Sequence, residues 1–112
     1  MYQIKESDWK LFRSRLPGWQ ESYMERLNRE YAALLAGSEP PSIKFWNLEE
    51  RINADKKHVG VSARMSRSNM LQNIYALLED GVITLDDLED FSDELQELSK
   101  RSTIQNSAAL GA

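Results

Sequence analysis

The stretch Met70–Leu98, MLQNIYALLEDGVITLDDLEDFSDELQEL, constrains the fold more than any other part of the chain. It reads as two antiparallel helices joined by a tight turn at Asp80-Gly81. Gly81 follows the last apolar turn of the first helix (Leu77, Leu78), where a glycine takes positive φ without a Cβ penalty. Thr84 opens the second helix as its N-cap, with Asp87 three residues on in the reciprocal place of a capping box. Ile83 and Leu88 match a hydrophobic staple, and Asp86 and Asp87 lie in the first turn, where the helix dipole favours negative charge. Leu88, Phe91, Leu95 and Leu98 recur at i, i+3, i+7 and i+10, which makes one apolar stripe. The same residues exclude a calcium-binding EF-hand. With Gly81 at loop position six, Ala76 and Leu78 would occupy positions one and three, where oxygen ligands are required.

Gly18, Gly37 and Gly60, with Pro17, Pro40 and Pro41 in the same gaps, divide the rest of the chain into further helical segments. A short helix Asp8–Leu16, capped by Ser7, carries Trp9, Phe12 and Leu16 on one face. A second, from about Trp19 to Ala36, turns Tyr23, Met24, Leu27, Tyr31, Leu34 and Leu35 inward. A third, capped by Ser42, runs from Ile43 to about Lys57 on a stripe of Phe45, Leu48 and Ile52; the fourth spans about Val61 to Glu79 and the fifth Leu85 to about Lys100. The expected fold is therefore all-α, a small bundle of four long helices plus a short N-terminal one. Its core is drawn from Phe12, Leu27, Tyr31, Leu34, Phe45, Leu48, Ile52, Leu71, Ile74, Leu78, Leu88, Phe91 and Leu95. Residues 1–100 form one domain, and 101–112 lose the pattern and read as a flexible tail.

With 112 residues, the chain is long enough for one compact domain burying very roughly 65% of its unfolded surface. It has no cysteine, which removes disulfides, thiolate nucleophiles and Cys-ligated zinc. The N-terminus MYQIKESDWK has no apolar stretch of the signal-peptide kind. The longest apolar run, about Tyr31–Ala36, is far below the roughly 18 residues that a membrane span needs. These features point to a cytoplasmic protein that does not engage a membrane.

The net charge of −4 conceals a segregation. Lys56, Lys57, Arg64 and Arg67 lie in a stretch without an acid, whereas Glu79 to Glu97 holds nine acids and no base. On a continuous fifth helix, Asp86, Glu89, Asp90, Asp93, Glu94 and Glu97 lie opposite the leucines. That array is either a solvated outer face or a docking surface for a basic partner. Arg64 and Arg67 continue the apolar azimuth of the fourth helix. They either pair with carboxylates at the bundle's end or, with Lys56 and Lys57, form an anion or nucleic-acid site whose recognition helix starts at Val61.

Trp46 lies about 100° off the Phe45/Leu48/Ile52 stripe. It is expected to pack beneath the N-terminal arm, against Tyr2 or Ile4; if exposed, it is the interface hot spot of the chain, because tryptophan is enriched at such positions. Catalysis finds no support. His58 is the only histidine, and no zinc-protease, phosphate-loop, nucleophile-elbow or dinucleotide motif is present. No cofactor or metal is expected.

Taken together, LPGWQESYMERLNREY, FWNLEERINADKK, SRSNM and LLEDGVITLDDLEDFSDEL resemble a family of short, uncharacterised, all-helical bacterial proteins. That family occurs in Gram-positive gut bacteria, often near mobile elements, and its members are sometimes labelled "multidrug transporter". The resemblance covers about Trp9 to Leu98 and carries over no functional residues. It implies a regulatory or inhibitory protein in the cytoplasm. The expected function is non-catalytic: a protein partner, basic in charge or a second copy of the chain, bound through the acidic helix or the Trp46 surface. The alternative is a small DNA-binding regulator using Lys56, Lys57, Arg64 and Arg67.

Overall fold

The computed structural model describes residues 2–111, and their side chains as far as Gln105. The chain forms α1 (Glu6–Leu35), α2 (Pro41–Asp55), α3 (Val59–Ser62), α4 (Met70–Glu79), a 3-10 turn (Leu85–Leu88) and α5 (Asp93–Gly111). No strand occurs among the described residues. All-α is therefore the class, but the helices are divided differently from the pattern in the sequence.

The two helices expected on either side of Pro17 are one helix of 30 residues. Pro17 removes one backbone donor and leaves the carbonyl four residues back without its partner, a loss that ordinarily breaks a helix. Packing on both sides of it offsets that cost. Phe12 and Leu16 are buried before it, while after it Trp19 meets Phe12 and Phe91, each at a ring separation of 6.3 Å. The next residue, Gln20, donates its side-chain amide to Ala63 O at 2.9 Å.

The expected fourth helix is broken instead. Four residues of α3 lead into an irregular stretch, Ala63–Asn69, before α4 begins at Met70. Side chains from outside the break satisfy its backbone, Gln20 donating to Ala63 O at 2.9 Å and Asn73 to Arg64 O at 3.3 Å, while its own polar side chains bond one another. Ser66 and Ser68 pair at 3.4 Å, and Asn69 donates to Ser66 at 3.3 Å. α3 lies tight against α1, with Gly60 seated on the Tyr23 ring.

The Asp80-Gly81 turn follows the sequence closely. Gly81 has φ +72°, Val82 N–H donates to Leu77 O at 2.9 Å, and Gly81 N–H donates to Leu78 O at 3.1 Å. That is a Schellman ending. The Thr84/Asp87 capping box also forms, with Thr84 N–H donating to Asp87 Oδ2 at 2.7 Å. It opens only the 3-10 turn, however, and the long fifth helix is not continuous from Leu85. The chain bends at Glu89–Ser92, and α5 starts afresh with Ser92 as its cap, the Ser92 hydroxyl accepting from Leu95 N–H at 3.3 Å. α5 then runs past Lys100 to Gly111, so the segment expected as a tail from Arg101 is helical backbone over its described part; Ala112 lies outside the described residues.

A buried carboxylate fixes this restart. Asp8, 1% exposed, accepts from the Ser92 N–H at 2.8 Å, the Ser92 hydroxyl at 2.6 Å and the Tyr2 hydroxyl at 2.8 Å. One side chain on α1 thereby ties down the N-terminal arm and the start of α5, where the helix dipole favours its charge. Around it the core assembles from Phe12, Leu16, Met70, Ile74, Leu77, Ile83, Leu88, Phe91 and Leu95. Leu71 and Leu78 pack partly buried against its edge. This core draws on the first half of α1, α4, the turn and α5. The second half of α1 leaves it and pairs with α3 and α2.

Candidate interaction surface

Pro41 begins α2 at its first helical position, where its fixed φ suits the helix and its missing N–H is not needed. The side on which α2 docks was not the one its hydropathy indicates. The partly buried positions are Lys44, Leu48, Arg51 and Asp55. At 100° per residue their mean direction lies about 60° from that of Phe45, Leu48 and Ile52. Polar contacts with α1 set this rotation. Tyr31 donates its hydroxyl to Asp55 at 2.5 Å, and Arg51 donates to Glu30 at 3.0 Å. The Arg51 guanidinium also lies 5.6 Å from the centroid of the Tyr31 ring and 3.6 Å from the Asp55 carboxylate. Burial first, and then the bond to Asp55, pushes the Tyr31 phenol up to about 12, so it keeps the proton it donates.

This clasp holds α2 by its polar side and turns the apolar side out. α2 contains no buried residue. Phe45 is 62% exposed and Trp46 59%, with Ile43, Ile52 and Leu35 of α1 also exposed. Phe45 and Ile52, expected in the core, are thus surface residues, while Tyr31, Leu34 and Leu48 are half-buried. Trp46 does not lie under the N-terminal arm. It stands edge-on to Phe45, with ring centroids 4.9 Å apart and planes at 88°. Beside the stripe, between α1, α2 and the start of α3, runs a groove of about 310 Å³ lined mainly by Met24, Leu27, Tyr31, Ile52 and Val61.

The other sequence candidates are dispersed. Arg67 donates to Glu6 at 2.7 Å and draws that carboxyl below its usual range. Lys56, by contrast, borders the groove near Met24–Tyr31. Glu6 and Met24 are separated by 18 positions on α1, about 27 Å at 1.5 Å per residue, so Lys56 and Arg67 do not share one site. Arg64 lies in the irregular stretch with its carbonyl accepting from Asn73, and Lys57 follows the end of α2. The recognition helix expected from Val61 is absent: the helical run there ends at Ser62.

The acids also divide. Asp86 lies in the 3-10 turn, Glu89 and Asp90 in the bend, and Asp93, Glu94 and Glu97 on α5. All are exposed, but they do not line one helix face. Asp90 pairs with Arg15 at 2.8 Å and Glu97 with Arg101 at 3.7 Å. Set against known families, curated proteins and solved structures, the chain has no match. Its functional reading therefore rests on its own geometry. Among the described residues, no group of three acids or histidines is placed to hold a metal, and no helix is long and apolar enough to cross a membrane.

Asp8 and the Tyr31/Asp55/Arg51/Glu30 clasp escaped the sequence reading. In the sequence Asp8 reads as the start of an ordinary first turn, because nothing local marks a carboxylate whose partner lies 84 positions away. Ser92 followed by Asp93 and Glu94 did carry a signal, a cap with acids in the first turn, but it lay inside an uninterrupted apolar stripe.

Proposed function

We propose that this protein is a non-catalytic interaction protein of the cytoplasm that receives a partner protein on the apolar side of α2. One observation carries the reading: an amphipathic helix is docked by its polar side, so Phe45, Trp46 and Ile52 face solvent. A soluble chain gains nothing by exposing adjacent aromatic residues, and an exposed apolar cluster marks an interaction site. Phe45 and Trp46 supply large, rigid contact area, and tryptophan is prominent among interface hot spots. The acidic segment is the weaker surface, since its charges sit on three separate elements and two of them are paired within the chain. DNA binding draws no support from a basic set divided between the end of α2 and the irregular stretch before α4.

The test is a pull-down from nuclease-treated lysate of the source cell, using tagged wild type, Phe45→Ser/Trp46→Ser, and Asp90→Lys/Asp93→Lys/Glu94→Lys. The aromatic double variant should lose the partner while melting as wild type within about 0.5 kcal/mol, as surface substitutions do. The triple-lysine variant should retain it. Equal capture by wild type and the aromatic variant would overturn the reading, and a large stability loss would mean that these side chains are core.

A further inference from the structure

Resting on that reading, we infer that the partner on this face is a second copy of the chain, with the two α2 helices antiparallel about a two-fold axis. The chain exposes 7527 Å², whereas a compact monomer of 12.9 kDa exposes about 6,300 Å². The excess, about 1,200 Å², is spread over the whole chain, Ile104 on α5 being 66% exposed. α2, without a buried residue, contributes to that excess. Its apolar side also carries both halves of a self-complementary fit. Phe45 projects from the first half of α2, braced edge-on by Trp46. The groove of Met24, Leu27, Tyr31, Ile52 and Val61 opens beside the second half. Phe45 and Ile52 lie within about 20° of each other around the helix and seven positions apart, about 10 Å along it. A two-fold axis between them sets each Phe45 over the other copy's groove, because a contact from one residue to another is reciprocated across such an axis.

That register has a specific consequence at Glu49, which flanks the stripe between Phe45 and Ile52. The axis brings the two Glu49 carboxylates near each other, so their repulsion holds the dimer weaker than its apolar contact allows.

Light scattering coupled to size exclusion, with the purified full chain at about 100 μM, well above the Kd of a micromolar interface, tests this. Wild type should weigh twice 12.9 kDa and Phe45→Ser 12.9 kDa. Equilibrium sedimentation should show Glu49→Gln dimerising severalfold more tightly than wild type. Circular dichroism melts keep the result interpretable, since Phe45→Ser must stay folded; Trp46→Ala, which removes only the brace, should weaken the dimer without abolishing it. A wild type of 12.9 kDa that still captures another protein through Phe45 and Trp46 overturns the second copy and leaves the interaction reading standing. A wild-type monomer that captures nothing overturns both. A dimer that survives Phe45→Ser overturns the second copy on this face and leaves the interaction reading to the pull-down, and a dimer unmoved by Glu49→Gln overturns the antiparallel register.

Discussion

Gly18 and Gly60 are both helical glycines, and alanine should act in opposite directions at the two. A Cβ at Gly18 meets nothing within 4 Å, on an exposed part of α1. Gly18→Ala should therefore stabilise by about 0.5–1 kcal/mol, through helix propensity and a less flexible unfolded chain. At Gly60 the same atom would lie 2.4 Å from Tyr23 Cδ2 and 2.8 Å from Cγ. Ordinary carbon contacts begin near 3.5 Å, so the overlap is about 1 Å. Cγ is the root of the ring, which cannot relieve the clash by swinging its tip, and the Arg26 guanidinium lies 5.0 Å from the ring centroid. Either Tyr23 leaves its rotamer or α3 lifts from α1. Overpacking of this kind costs about 1–3 kcal/mol, against at most about 1 kcal/mol gained in propensity. Gly60→Ala should lose about 1–2 kcal/mol net, read from urea melts that share one m-value. In a Tyr23→Ala background the penalty should vanish. If Gly60→Ala is as stable as wild type, α3 does not pack on the Tyr23 ring.

Further tests probe the buried polar groups. Asp8→Ala strips the acceptor from the Ser92 N–H, the Ser92 hydroxyl and the Tyr2 hydroxyl, and should cost about 2–4 kcal/mol in denaturant melts. Asp8→Asn, which keeps one acceptor, should fall between, and a loss below about 0.5 kcal/mol would contradict the buried bonds. Ser99→Ala removes a buried hydroxyl without a partner among the described residues and should gain about 0.5–1 kcal/mol, where a loss would reveal a bond. Burial, and then the bond to Asp8, pushes the Tyr2 phenol up to about 12, above the ordinary 10.0. The native state then holds this proton more tightly than the unfolded chain, so the stabilisation is whole below pH 10 and is lost as pH rises through 12. Wild type should lose stability more steeply than Tyr2→Phe across that window, and parallel curves would refute the coupling.

Short-range chemistry was legible in the sequence. The glycine ending of α4, the Thr84/Asp87 box and the buried Leu88, Phe91 and Leu95 each depend on residues a few positions apart. Local signals failed where distant contacts outweighed them. Pro17-Gly18 reads as a helix break, yet aromatic packing on both sides carries α1 through it. Leu85–Lys100 reads as one helix, yet Asp8 holds Ser92 and restarts it. The candidate surface shows the same division. The sequence determined that α2 is an amphipathic helix with an aromatic pair on it. Tertiary structure decided which side faces solvent, because hydrogen bonds from Tyr31 and to Glu30 are strongly directional whereas apolar burial is not.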